Sequence, residues 1–355
     1  MPPLDSSAAW AWPLSLAAGA FLLLSYRNVT QAPSGTGKAI DDNLNSVTVT
    51  TKHCMYTIRE VPGKGKGLFA TTLIPRGTRI LSEVPIFLVP RDEPDLAVLD
   101  DIVVNETNHR LTEEQRHAFF DLHVANAQDE TYSRALGIAR TNVLPLGPDA
   151  RLGGLFLDAS RINHSCSNNA HNNWNEHIGR LTIHAMRDIQ EGEEITITYM
   201  GGTHTYAERQ RALREGFNFD CSCELCSLPP AERELSDARL SKLRVGEQCV
   251  LMGMMGPEDA FRLVHSLFGL IKEEGVWNAC VSRCYNYAYE VAMYMEDRPR
   301  ARVFAERSYE ALCVLEGEDS PTVKETKGEV EELSDALVPS GLTGEDLERW
   351  LWMLD

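Results

Sequence analysis

Short apolar runs and glycine-bearing turns alternate through the first half of the chain, and helical spacing takes over in the second. Tyr56 and Ile58, like Val47 and Val49 before them, are strand-forming residues. A glycine loop, Val61-Pro62-Gly63-Lys64-Gly65-Lys66-Gly67, leads into apolar Leu68-Phe69-Ala70. Ile74-Pro75-Arg76-Gly77-Thr78 has Pro and Gly in turn order, and Ile80-Leu81 begin another strand. From Asp92 to Asn142 the texture becomes helical, and Thr112-Glu113-Glu114-Gln115 forms a capping box before Ala118-Phe119-Phe120 and Leu122. Strands resume at Leu155 and at Leu181-Thr182-Ile183. Past the turn Ile189-Gln190-Glu191-Gly192-Glu193, Ile195 and Ile197 alternate with Thr196 and Thr198, the pattern of a half-buried strand.

After Pro229-Pro230 the chain reads as helical to its end. Pro257 opens a segment with Phe261, Val264, Leu267, Phe268 and Ile271 at helical spacing, closed near Gly275. Further helices run from Trp277 to about Met295, from Pro299 to about Gly317, and from Ser320-Pro321, with Ser320 as N-cap. Short connections imply antiparallel pairs; the layout is open to a tetratricopeptide-like array, but too few signature positions are present to claim that repeat. A last helix from Thr343 to Leu354 docks on the same bundle.

These patterns divide the chain into a hydrophobic N-terminal segment (1–27), a polar linker (28–46), a β-rich domain (47–219) with a helical insert at 92–142, a cysteine segment (220–230) and a helical domain (231–355). Trp10 to Tyr26 is uncharged and mostly apolar, short for a membrane span, and lacks a basic leader. Two readings stand for residues 10–26: a membrane anchor that leaves the rest of the chain facing the cytosol, or a loosely packed tail.

The net charge is −18, which argues against direct nucleic-acid binding. The acidity is uneven, with 25 acidic against 14 basic residues in 231–355. An acidic face suits a basic, lysine-rich protein partner. The nine cysteines are odd in number and unevenly spaced, so a disulfide framework is disfavoured and a reducing compartment, cytoplasm or nucleus, is expected.

Three segments carry chemistry. Cys221-x-Cys223-x-x-Cys226 offers three thiols within six residues, which suits a structural Zn2+ site with sulfur ligands. Cys166 is the best distant fourth ligand; a disulfide plus a free thiol, or a redox site, are the other readings. Asn163-His164-Ser165-Cys166-Ser167-Asn168-Asn169 is a polar, hydrogen-bonding turn. The glycine loop lacks the spacing of a nucleotide-phosphate cradle but brings bare backbone close to a ligand. Tyr199 ends a strand.

Taken together these segments resemble the SET-domain protein lysine methyltransferases. Gly63 to Ala70 is similar to the opening glycine motif of that family, Asn163 to Asn169 to its Asn-His-Ser-Cys-x-Pro-Asn motif, Glu191 to Tyr199 to its Gly-Glu-Glu…Tyr motif, and Phe217-x-Phe219-x-Cys221-x-Cys223-x-x-Cys226 to its post-SET zinc segment. The insert and helical C-terminus are similar to fungal relatives of the SET-and-MYND group, without the MYND finger. The resemblance implies an α+β fold in which the segment after Tyr199 threads under the Asn-His loop as a pseudoknot. It implies S-adenosylmethionine held by Lys64, Gly65, Lys66, Asn142, Asn163, His164, Tyr199 and Phe219. It implies Zn2+ on Cys166, Cys221, Cys223 and Cys226, a lysine channel walled by Tyr199 and Phe217, and Tyr199 as the catalytic residue. Asn168 stands where the family has Pro, and Phe217 where close relatives carry Tyr.

The expected activity is methyl transfer from S-adenosylmethionine to a lysine side chain of a histone or another protein. The alternative is a catalytically silent SET module that scaffolds partners through its helical half. Retention of Tyr199 beside the complete cysteine set favours the enzyme.

Overall fold

A computed structural model describes residues 55–147, 150–275 and 279–353. The apolar stretch 10–26, the linker 28–46 and the strand-like Val47 and Val49 lie outside the described residues. Among the described residues no helix is long and apolar enough to cross a membrane.

Strands β1 (Tyr56–Val61), β2 (Gly65–Ala70), β3 (Arg79–Glu83) and β4 (Phe87–Pro90) precede helices α1 (Leu96–His109), α2 (Glu113–Phe120) and α3 (Arg134–Asn142). Strands β5 (Leu144–Pro145), β6 (Leu152–Leu155), β7 (Asn163–His164), β8 (Ala170–Asn175), β9 (Arg180–Ala185) and β10 (Glu194–Ile197) follow. The remainder is helical: α4 (Tyr206–Phe217), α5 (Pro230–Leu251), α6 (Pro257–Glu274), α7 (Ala279–Tyr294), α8 (Arg298–Glu316), α9 (Pro321–Glu332) and α10 (Gly344–Trp352). The architecture is α+β.

Three small sheets form the β half, ordered β1-β2-β10-β7, β3-β9-β8 and β4-β6-β5. The first positions the site. The glycine turn closes the β1–β2 hairpin, pairing Val61 with Gly65, and β10 adds antiparallel to β2. Strand β7 then lies parallel to β10, with Asn163 opposite Thr196 and His164 opposite Ile197. A parallel neighbour requires a crossover, here supplied by β8, β9 and the turn before β10. Leu68, Ile162, Ile183, Ile195 and Ile197 make the core beneath. The alternation at 195–198 predicts a half-exposed strand, but Thr196 is buried too, because its N–H donates to the Asn169 side chain at 2.8 Å. A hydrogen-bonded polar residue can line a buried face that pattern alone assigns to solvent.

Strand β8, His171-Asn172-Asn173-Trp174 with its flanks, has little strand propensity. It forms because β9 pairs with it along its whole length. Helix α2 carries the capping box read from Thr112 and Gln115. Ser320 is the N-cap of α9, but its hydroxyl bonds the Glu316 carboxylate at 2.5 Å and makes no cap bond. In the helical half each helix packs on the next in sequence, from α5 to α9, and α10 returns to α6. Helix α8 also packs on β8 and β9, where Arg79 of β3 pairs with Asp319 and donates to His184 at 3.1 Å.

Candidate active site and metal centre

Asn163 and His164 occupy β7, and the crossing with β10 brings them to the glycine turn and to Tyr199. The Asn163 amide donates to the Lys66 carbonyl at 3.3 Å and to the Glu194 carboxylate at 2.7 Å. Gly67 permits this: a Cβ there would lie 2.7 Å from both the Asn163 Nδ2 and the Glu194 Oε1. Gly65 adopts φ +73°, which frees the turn to bend back. The side chains of Lys64 and Lys66 are drawn off to Glu194 and Asp121. The turn therefore offers backbone to a ligand.

Asn169 closes the polar loop behind the site. Its amide nitrogen donates to the Glu194 carbonyl at 2.9 Å and to Glu193 at 3.0 Å, while its oxygen accepts from Thr196. Asn168 bonds the Ala170 carbonyl at 2.8 Å, a local closure where the family has proline.

His164 is a two-ended connector. Its Nδ1 accepts the Tyr199 backbone N–H at 3.0 Å, so the ring proton sits on Nε2 and donates to the Cys166 sulfur at 3.2 Å. Burial holds the ring neutral, with its pKa lowered to about 4. The Tyr199 hydroxyl donates to the Ile162 carbonyl at 2.8 Å, which leaves the oxygen lone pairs for another donor. Burial, followed by the Glu194 charge, raises its pKa above the usual tyrosine value, so the phenol stays protonated. Phe217 packs on Tyr199 with ring centres 4.8 Å apart, and Phe219 lies 6.2 Å from the His164 ring.

One cavity of about 1510 Å3 takes in Lys64, Gly65, Lys66, Asn142, Asn163, His164, Tyr199, Phe217 and Phe219, all the residues proposed from sequence for cofactor and channel. Its volume exceeds the roughly 300–1,000 Å3 of a single small-ligand pocket, leaving room for a second reactant. Asn142 serves first as a brace, its amide nitrogen bonded to the carbonyls of His123 and Ile138 at 2.7 and 2.8 Å. His123 and Tyr132, from the helical insert, also line the cavity. The sequence carried no signal for them, since nothing in a single chain says which loop of an insert folds back.

The sulfurs of Cys166, Cys221, Cys223 and Cys226 all lie within 4.8 Å of one another. Cys166 is 3.9 Å from Cys221 and 3.6 Å from Cys226. Tetrahedral zinc with Zn–S bonds of about 2.3 Å requires sulfurs roughly 3.8 Å apart, so the four thiols fit that ion. No two of the cysteines among the described residues are joined. The four thiols share their protons unevenly: hydrogen bonds from Cys166, Cys221 and Cys226 hold the Cys223 thiol far below its usual range, those from Cys166 and Cys221 bring Cys226 to about 7, and Cys166 and Cys221 are themselves pushed far up.

Residues 65–200 match a family profile described as SET domain. The chain is 32% identical over 268 residues to histone-lysine N-methyltransferase set5 of Schizosaccharomyces pombe, covering 75% of this chain and 80% of that one. It is 42% identical over 74 residues to histone-lysine N-methyltransferase SET5 of Meyerozyma guilliermondii, 20% of this chain and 15% of that one. It is 35% identical over 82 residues to histone-lysine N-methyltransferase SMYD3 of Homo sapiens, 23% of this chain and 19% of that one.

Proposed function

The chain belongs to the SET-domain family of protein-lysine N-methyltransferases, and from that membership we propose that it transfers methyl groups from S-adenosylmethionine to a lysine side chain of a basic protein. One observation carries the reading: the backbone of the glycine turn, Asn163, His164 and the Tyr199–Phe217 pair line a single cavity. The bound cofactor supplies an electrophilic methyl group on a sulfonium. Lys64, Gly65 and Lys66 hold it through backbone, Asn163 and His164 fix its polar parts, and Phe219 covers its flat ring.

The protein must then deliver a neutral amine. A free lysine has a pKa of about 10.4, so on the order of one in a thousand is neutral at pH 7. Aromatic walls from Tyr199 and Phe217, beside a positive charge, lower that value. The Tyr199 oxygen accepts an N–H of the amine and aims its lone pair, a contribution of geometry more than covalent chemistry. The loop that holds Tyr199 is steadied by His164, which in turn leans on Cys166. Zinc on the four cysteines supplies structure: it ties the Asn-His loop to the segment after α4, and with four sulfur ligands it leaves no open position for substrate.

The named relatives act on histones; a lysine-rich histone tail or another basic segment suits the acidic helical half. The free cysteines support a nuclear or cytoplasmic setting. The test is incubation with labelled S-adenosylmethionine and a cell lysate, with labelled lysines located by mass spectrometry. Labelling that disappears in Tyr199→Phe supports the reading. A folded, zinc-replete protein with neither labelling nor a thermal shift from S-adenosylmethionine refutes it in favour of a scaffold.

A further inference from the structure

Helix α4 places two adjacent polar residues against the sulfur cluster. Gln210 is buried, and its side chain bonds the Cys221 backbone at both ends: Nε2 donates to the carbonyl at 2.7 Å, and Oε1 accepts the N–H at 2.9 Å. That is the pairing a neighbouring strand would give. Arg209 is only 3% exposed. Its Nη1 donates to the His204 carbonyl at 2.6 Å and lies 3.9 Å from Asp237. The guanidinium lies beside the Cys226 thiol, with Cys166 next to it, yet Nε and Nη2 have no hydrogen-bond partner of normal geometry. Asp237 faces Nη1, which leaves Nε and Nη2 without a partner; charged donors left idle in a buried site are costly.

We propose that Arg209 and Gln210 are the outer support of the metal centre, Arg209 supplying positive charge to a thiolate-rich site and Gln210 fixing the position of Cys221. The inference rests on the zinc reading above. A divalent ion with four thiolates carries a net charge of about −2. Cys221 and Cys226 are buried, so water screens that charge poorly. His164 brings a neutral donor to Cys166; Arg209 brings positive charge from α4. Metal ligands held by outer hydrogen bonds keep their ion more firmly, and removing one such partner typically costs about 10- to 100-fold in affinity.

The full-length zinc-loaded protein is challenged with excess 4-(2-pyridylazo)resorcinol, and the rate of zinc release is read from its colour. Wild type, Arg209→Lys, Arg209→Gln and Arg244→Gln are compared; Arg244, on α5, pairs with Glu208 of α4 and serves as the charge control. Arg209→Gln is expected to release zinc about 10- to 100-fold faster, with Arg209→Lys nearer wild type and Arg244→Gln unchanged. Release from Arg209→Gln at the wild-type rate, or from Arg209→Lys as fast as from Arg209→Gln, overturns the assignment. A wild-type protein that holds no zinc overturns the metal reading itself, a separate result. Should Arg209→Gln not fold, Co2+ replaces zinc in wild type and Arg209→Lys. The sulfur-to-metal charge-transfer band shifts if the guanidinium acts on the sulfur, and an unchanged band refutes the role.

Discussion

The phenol of Tyr199 hydrogen-bonds the carbonyl of Ile162 at 2.8 Å, joining the second residue past β10 to the residue before β7. The bond fixes the hydroxyl proton on one side and presents the oxygen to the cavity on the other. Tyr199→Phe removes an orienting oxygen and leaves one carbonyl unpaired. Methyl transfer is expected to fall by about 100-fold or more, while stability changes by about 1 kcal/mol. Radiolabel incorporation and chemical denaturation, measured on one preparation, separate the two effects. Retained activity removes Tyr199 from the mechanism.

Gly67→Ala drives a Cβ to 2.7 Å from Asn163 and Glu194. Those side chains must move, at about 1–3 kcal/mol, and the Asn163 amide leaves the wall of the cavity. Cofactor affinity, measured calorimetrically, is expected to weaken more than the small loss of stability suggests. Unaltered affinity would show that Asn163 does not touch the cofactor.

Cys166→Ser takes the distant ligand from the sulfur cluster. Zinc content is expected to fall, and the melting temperature with it, because metal that binds only the folded chain stabilises it by its full binding free energy. Removal of zinc from wild type with EDTA should bring its melting curve close to that of the variant. A variant that keeps both zinc and wild-type stability would leave Cys166 outside the site.

His184 faces its β8 partner His171 across the second sheet, with Arg79 donating to its Nε2. Burial, then the charge of Arg79, lowers its pKa to about 4, and burial with Arg283 does the same to His171. The unfolded chain takes up these protons near pH 6.5, before the folded one does. Stability is therefore fully present above that pH and is lost as pH falls through about 4, by about 3 kcal/mol at most for His184. Urea titrations between pH 7 and pH 4 check this, and His184→Gln should flatten the slope. An equal slope in the variant would assign the acid sensitivity elsewhere.

The legible part of this chain was whatever lies in short runs of distinctive residues. The glycine turn, Asn163 to Asn169, Glu191 to Tyr199 and the three clustered cysteines declared themselves by type and spacing. Cys166 was found because it was the soft ligand inside another polar motif. Three further features were hidden for physical reasons. Arg209 and Gln210 sit in Tyr206–Phe217, a run of charges that reads as a solvated helix face. Strand β8 is polar and is made by its neighbour. His123 and Tyr132 reach the cavity through the path of the insert, which is a property of packing.

Parallel pairing of β7 with β10 also sets a schedule for biosynthesis. Cys166 must wait for Cys221 and Cys226, which leave the ribosome 55 and 60 residues later. At a translation speed of about 5–20 residues per second that delay is roughly 3 to 12 seconds. Throughout it the half-made domain has an open seam and a bare thiol, and a transcript cut short before codon 226 would leave both permanently. During this interval α8, which packs on β8 and β9, has not yet emerged to cover the second sheet.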